Sequence, residues 1–137
     1  MRSRLAHRPR SLLRLVKVKV AVSALGPSLE DKVDERFGRA TYLLIVDLDT
    51  LGFDVLDNSA NRHALQGAGL GAAEAVSAAS ADAVITGHLG SKAFHALDGI
   101  DVQGYSGVGM TVQEALGAFA ANLLEPLDDS NPYQRFE

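Results

Sequence analysis

The sequence predicts an α/β domain with a mostly parallel sheet and helices on both of its faces. Strand-like and helix-like segments follow one another in the order β-β-β-α-β-α-β-α. A short turn at residues 49–52 joins the second and third strands, which predicts a hairpin and therefore one antiparallel strand. The uninterrupted apolar run at residues 83–86 ends at Gly87 and is typical of a strand buried on both faces.

Five strands are expected. Valines at alternate positions from Val16 to Val22 predict the first strand over residues 16–24. Further strands are predicted at residues 41–47, 52–57, 83–86 and 100–105. We expect the strand at 83–86 to lie beside the first strand and parallel to it, and the strand at 41–47 to be the lone antiparallel one.

Three helices are expected. Residues 65–80 place Leu65, Ala68, Ala72, Val76 and Ala79 on one side of a helix. Residues 91–97 form a shorter helix that buries Ala93, Phe94 and Leu97. The last helix starts at Thr111, which forms a capping box with Glu114, and its apolar stripe runs to Leu123 and Leu124 before Pro126 ends it.

Composition narrows the function classes. The chain has 137 residues, enough for one domain, and is 47% hydrophobic and 22% charged, as a folded protein is. It has no cysteine, which excludes disulfides, thiolate zinc sites, thiol nucleophiles and iron–sulfur clusters held by protein thiolates. Neither a G-x-G-x-x-G dinucleotide fingerprint nor a P-loop motif is present.

Charge divides the chain into a basic start and an acidic body. Residues 1–15 are rich in arginine, lack acids and are expected to be a disordered tail. The domain is expected over residues 16–125, followed by a polar tail at 126–137. Residues 20–137 hold six basic residues and 17 acids, a formal charge of −11, which disfavours nucleic-acid binding. We expect a cytoplasmic protein that binds neither nucleic acid nor membrane.

Two histidines are candidate metal ligands. His63 lies in a polar loop and His88 follows the buried run at 83–86. Neutral imidazole suits both iron and zinc, but no two histidines show a metal-binding spacing. Each therefore remains either a ligand or an ordinary hydrogen-bonding side chain.

Anion-binding groups are also present. Arg36 and Arg39 flank Phe37 and Gly38, and two guanidinium groups there could hold a carboxylate or phosphate, or pair with acids nearby. Three glycines (Gly67, Gly69 and Gly71) surround the start of the first helix. They either expose amide groups to an anion or allow the helix to pack closely on the sheet.

Four motifs, in order, resemble the dinitrogenase iron–molybdenum cofactor biosynthesis family. They are RFGRATYL at 36–43, Asn58 with residues 63–71, VITGHLG at 84–90 with Ala93 and Phe94, and GVGMTVQEAL at 107–116. The resemblance covers residues 17–124. It implies a three-layer α/β/α fold with a ribonuclease-H-like motif and a five-stranded mixed sheet. Where carriers in the family often have a histidine before the Phe-Gly pair, this chain has Arg36.

The resemblance implies a carrier that reversibly holds an iron–sulfur or iron–molybdenum-type cluster, or its precursor, and passes it to a cofactor-assembly protein. The expected site is a rim of Arg36–Arg39, Asn58–Gly71, Gly87–His88 and Ser106–Gly109, including Gly107. A sensor or scaffold that binds an anionic small molecule without metal is the alternative. A ribonuclease-H-type nuclease is disfavoured because strand one, residues 16–24, carries no carboxylate.

Overall fold

The computed structural model describes residues 17–128, so the expected tail at 1–15, Val16 and residues 129–137 lie outside it. The strands in this part of the chain are β1 (Lys19–Ala24), β2 (Tyr42–Asp47), β3 (Phe53–Asp57), β4 (Ala83–Thr86) and β5 (Gln103–Ser106). The helices are α1 (Ser59–Arg62), α2 (Ala68–Ala78), α3 (Ser91–Gly99) and α4 (Val112–Ala120). None of the helices in residues 17–128 is long and apolar enough to cross a membrane.

The five strands form one mixed sheet in the order β3-β2-β1-β4-β5. β1 pairs in parallel with β4, and β4 pairs in parallel with β5. β2 lies antiparallel to both of its neighbours, β1 and β3. The expected place of the strand at 83–86 and the expected lone antiparallel strand are both confirmed, and the strand order is that of a ribonuclease-H-like motif.

Two apolar layers hold the helices on the sheet. On one face, residues from α2 and α3 (among them Val76 and Leu97) pack against Leu43 and Ile45 of β2. On the other face, Leu116 and Phe119 of α4 pack with alternate residues of the central strands. Side chains of successive strand residues point to opposite faces, so the apolar central strands serve both layers. The three-layer α/β/α architecture is confirmed.

Several boundaries differ from those expected. α2 starts at Ala68 rather than at residue 65, because Gly67 adopts a left-handed φ of 83° at the N-cap, and Leu65 is 98% exposed. β5 starts at Gln103 rather than at residue 100, because α3 continues to Gly99 and Asp101 turns the chain with a φ of 64°. Residues 59–62, which lie between the expected strand at 52–57 and the expected helix at 65–80, form the additional helix α1.

The last helix is also shorter than its apolar stripe predicts. The capping box of Thr111 and Glu114 is present, but α4 ends at Ala120, well before Pro126. Asn122 reverses the chain with a φ of 64°, and Leu123 is 74% exposed. This reversal directs residues 125–127 along the outer edge of β5, where Ser106 N donates to Glu125 O and Leu127 N donates to Gly104 O.

Candidate functional site

The structure brings the segments of the expected rim together at the carboxyl ends of β1 and β4. Arg36 forms a parallel bridge with His88, whose backbone N donates to Glu35 O at 3.0 Å. On the side of β5, Gly107 N donates to Thr86 O at 2.9 Å. On the other side, Arg39 contacts the loop after α1. The segment at 34–40 therefore lies in the middle of the rim.

Two glycines let backbones meet in the rim without side chains between them. A Cβ atom at Gly87 would lie 2.5 Å from the Cα atom of Glu35. A Cβ atom at Gly38 would lie 2.6 Å from the backbone N of Gly69. Real carbon atoms do not approach so closely, so any side chain at Gly38 or Gly87 would push the segments apart.

The remaining rim glycines have local structural roles. A Cβ atom at Gly69 would lie 3.0 Å from the Cβ of Ala93, where α2 and α3 pack, and one at Gly71 would overlap the Asn61 side chain. A Cβ atom at Gly107 would lie 2.6 Å from Cγ2 of Ile85. Close packing thus accounts for Gly69 and Gly71, while Gly67 supplies the left-handed N-cap.

A buried polar cluster fixes the start of this segment. Ser23, Asp34 and Thr86 are all buried. The Ser23 hydroxyl lies 2.6 Å from Asp34 O and 2.7 Å from Thr86 Oγ1, and Asp34 N donates to Ser23 O at 2.8 Å. Satisfied hydrogen bonds inside the protein are rigid, because breaking one leaves a buried group unpaired. Asp34 is consequently held at the ends of β1 and β4.

Arg36 pairs with this buried carboxylate. Its Nε lies 3.1 Å from Asp34 Oδ1 and its Nη2 lies 3.2 Å from Asp34 Oδ2. The Asp34 side chain is 3% exposed and that of Arg36 is 51% exposed. The hydrogen bond to Asp34 and the charge of that carboxylate raise the pKa of Arg36. Local pairing with an acid is therefore the arrangement observed, with about half of the Arg36 side chain still open to solvent.

Arg39 and Phe37 anchor the segment. Arg39 Nη1 donates to Arg62 O at 2.8 Å and to Ala64 O at 2.9 Å, so its guanidinium group tethers the loop after α1. Phe37 is buried at 2% exposure in the layer formed by α2 and α3. Both side chains position the rim through contacts within the protein.

Asn58 joins the segment at 34–40 to α1 through its buried side chain. It is 3% exposed, and its Nδ2 donates to Gly38 O at 3.1 Å and to Ala40 O at 2.9 Å. Its Oδ1 accepts from Asn61 Nδ2 at 2.9 Å. The side-chain amide thus connects α1 to the chain on either side of Arg39.

The two candidate histidines lie on opposite sides of the central segment. His63 is exposed, and its Nε2 lies 3.4 Å from Arg62 Nη1. His88 is partly buried and borders Arg36 directly. Within residues 17–128, no group of three or more histidine or carboxylate side chains is arranged to hold a metal ion. A metal cluster bound here would have to bring its own ligands.

An open groove borders Arg36. Its cavity volume is 420 Å³, and it is lined by Leu25, Lys32, Val33, Asp34, Glu35, Arg36 and Gly109. Lys32 Nζ donates to Gly109 O at 3.2 Å, so a second cationic side chain lines the groove together with Arg36. Lys32 was not among the residues expected from the sequence. Its position between β1 and Arg36, in a body with few basic residues, is the signal that could have identified it.

Comparison with known proteins shows which family the chain belongs to. The family model described as dinitrogenase iron-molybdenum cofactor matches residues 16–122, most of the chain. The chain belongs to this family. No curated protein matches it significantly.

Three solved structures have a fold similar to that of this chain. The orange protein from Desulfovibrio gigas, solved in its apo form, is 35% identical with a TM-score of 0.76, over 79% of this chain and 91% of its own. A Thermotoga protein provisionally named NifB is 31% identical with a TM-score of 0.70, over 80% and 92%. A Methanocaldococcus jannaschii protein provisionally described as a dinitrogenase is 18% identical with a TM-score of 0.61, over 81% and 95%, and shows the fold alone. The family relates the chain to the iron–molybdenum cofactor.

Proposed function

We propose that this member of the iron–molybdenum cofactor family is a non-catalytic carrier for an iron–sulfur-type metallocluster or its precursor. The cargo binds in the groove beside Arg36. The observation that carries the proposal is a groove lined by two cationic side chains, Lys32 and Arg36, together with Glu35 and with Asp34, which pairs with Arg36. Within residues 17–128 no three-ligand metal site is present, so Lys32 and the exposed part of Arg36 are the groups that would meet an anionic cluster with its own sulfide or carboxylate ligands.

Reversible capture follows from this chemistry. Lys32 and the exposed part of Arg36 would form charge-assisted hydrogen bonds with outer sulfide or carboxylate groups of the cargo. With no thiolate in the chain, no covalent iron–sulfur bond has to break when the cargo leaves. These properties suit a carrier that passes its cargo to a cofactor-assembly protein, and the proposal keeps the expected cytoplasmic location.

The structure distinguishes the two candidate ligands. His88 forms a backbone bridge with Arg36, which lines the groove, although His88 is not itself a lining residue, whereas His63 lies beyond Arg39 next to Arg62. We place His88 first as a direct metal contact and His63 second. Of the glycine amides at 67–71, that of Gly71 already donates to Gly67 O at 2.9 Å, so the amides near Gly67 and Gly69 remain the proposed outer contacts.

The test is an anaerobic titration of the protein with an iron–sulfur precursor cluster, followed by visible absorption. We expect Lys32→Gln and His88→Ala each to weaken binding about tenfold, or about 1.4 kcal/mol. Lys92→Gln and His95→Ala remove the same groups from exposed positions on α3 and should leave binding within about twofold of wild type.

The outcomes separate the alternatives. Unchanged binding in both groove variants, with loss in His63→Ala, would move the cargo to the loop after α1. Failure of the wild type to bind any cluster would reject the carrier. Binding of inorganic phosphate at the same groove, weakened by Lys32→Gln, would then favour the metal-free anion sensor.

A further inference from the structure

The two edges of the sheet differ in a way that the proposed cargo site does not explain. The outer edge of β5 is covered by residues 125–127, through an antiparallel bridge between Tyr105 and Pro126. β3 is the opposite edge strand, and within residues 17–128 no chain segment pairs with its outer side. A free edge offers backbone donors and acceptors to an added strand.

The hydrogen-bond register identifies which groups are free. Asp47 N donates to Gly52 O, and Asn58 N donates to Thr41 O, so even-numbered residues of β3 point their backbone groups toward β2. Antiparallel ladders alternate strictly. The N–H and C=O groups of Phe53, Val55 and Asp57 therefore point away from the sheet.

The side chains of β3 point alternately to the two faces of the sheet. Phe53 and Val55 lie opposite Val46 and Leu44 in the register, and they extend the α4-side apolar layer outward with 38% and 41% exposure. Asp54 is exposed on the other face, whereas Asp57 lies on the same face as Val55, opposite Tyr42. Asp49 lies in the turn before the strand, and both Asp49 and Asp57 are exposed. Hydrogen bonds from the Ser59 hydroxyl and backbone N–H lower the pKa of Asp57, which keeps its carboxylate charged.

We propose that the β3 edge is a docking site for an extended, basic segment of a partner protein that adds a sixth strand. Strand addition uses backbone hydrogen bonds for affinity and alternate side chains for specificity. Apolar side chains at alternate positions of the partner pack beside Phe53 and Val55, and the lysines or arginines between them face Asp54. The proposal does not depend on the cargo.

Charge and pattern distinguish this occupant from two others. Antiparallel pairing of two copies through β3 would set the acidic side chains of one edge, Asp54 and Asp57, beside an equally acidic edge, and like charges at close range are destabilising. The chain's own residues 1–15 are basic, but they contain Pro9, and only Leu13 and Leu15 alternate with a basic residue. A separate basic segment with alternating apolar residues fits better.

The test uses the full-length protein and a labelled seven-residue peptide that alternates lysine with valine, measured by fluorescence anisotropy. The control peptide has the same composition with its lysines and valines in separate blocks. We expect the alternating peptide to bind at least about tenfold more tightly. Equal binding would reduce the interaction to charge attraction and overturn the proposal.

Three protein variants locate the site. Val55→Pro removes an outward N–H without touching the ladder to β2 and should weaken binding about tenfold. Asp54→Asn should weaken binding and reduce its salt dependence. Glu125→Gln removes a charge at the opposite, covered edge and should change nothing. If Val55→Pro loses its native circular dichroism, the two peptides on wild type and the Asp54→Asn result still decide.

Two results would assign the edge to another occupant. A protein lacking residues 1–15 that binds the peptide about tenfold more tightly would show that the chain's own tail covers β3. A concentration-dependent dimer that Val55→Pro abolishes would show self-pairing instead. Either result would overturn the proposal, whatever the outcome of the cluster titration.

Discussion

Asn58 joins two segments of the rim through three hydrogen bonds of its side-chain amide. Its two amide donors reach the carbonyls of Gly38 and Ala40, and its carbonyl oxygen accepts from Asn61. Only an amide side chain supplies donors and an acceptor from one planar group of this size. In this buried position, loss of the Asn58 amide leaves the carbonyls of Gly38 and Ala40 without this donor and the Asn61 amide without its acceptor.

We therefore predict that Asn58→Asp destabilises the protein by about 2–4 kcal/mol, because a carboxylate would face two carbonyl oxygens without a donor. Asn58→Ala should cost about 1–3 kcal/mol, since it removes donors without adding repulsion. Urea unfolding monitored by circular dichroism gives both values. An aspartate variant as stable as wild type would show that Asn58 does not organise the rim.

At the residue scale, part of the candidate site could be predicted from the sequence and part could not. The rim segments were predictable, because motifs at 58–71, 84–90 and 107–116 each fall at the end of a strand or the start of a helix, and the motif at 36–43 leads into β2. The acid that pairs with Arg36 could not be predicted, because Asp31, Asp34 and Glu35 are all near it in the sequence. Burial of Asp34 by Ser23 and Thr86, which are far apart along the chain, makes the choice.

Among the elements, α4 has the best-defined start. Thr111 accepts from Glu114 N at 3.1 Å, and Glu114 Oε1 accepts from Thr111 N at 3.0 Å. α4 forms the helical layer over one face of the sheet, where Leu116 and Phe119 are buried. The stability of this element therefore matters to the whole fold.

Thr111→Ala should lower the free energy of unfolding by about 1 kcal/mol, because it removes the oxygen that caps the first turn. Thr111→Ser keeps that oxygen and serves as the matched control. Thermal or urea unfolding of both variants provides the measurement. If Ala and Ser prove equal, the capping box does not limit the stability of α4.

Element types were predictable, but several of their ends were not. Periodicity marked α2 and α4 correctly, yet it included Leu65 and Leu123, which are exposed. In both cases a left-handed residue, Gly67 or Asn122, separates the apolar residue from the helix. Apolar spacing cannot reveal this reversal, because the φ angle of a single residue depends on the contacts that the next segment makes. After Gly67, α2 packs against Asn61. After Asn122, residues 125–127 pair with the edge of β5.

At the scale of the whole molecule, Lys17 and Val18 connect the chain before β1 to the end of β2. Lys17 Nζ lies 3.8 Å from Asp47 Oδ2, and Val18 O accepts from Leu48 N. The family match starts at residue 16. We keep the proposal that residues 1–15 form a tail outside the folded domain.

Deletion of residues 1–15 should accordingly change the melting temperature by no more than about 2 °C. Differential scanning calorimetry of the full-length and truncated proteins, at equal concentration and salt, gives the comparison. A fall of several degrees, corresponding to about 1–2 kcal/mol, would show that the tail packs on the domain.

The glycine contacts of the rim have an evolutionary consequence. At Gly38 and Gly87 the chain meets itself through backbone alone, so these positions tolerate no side chain, while His63 is exposed and His88 is partly exposed on the resulting frame. Substitutions at exposed positions such as His63 would change the chemistry that the rim presents without filling the space at these two glycines. For the proposed carrier, the cargo could therefore change through single substitutions in a protein that stays folded.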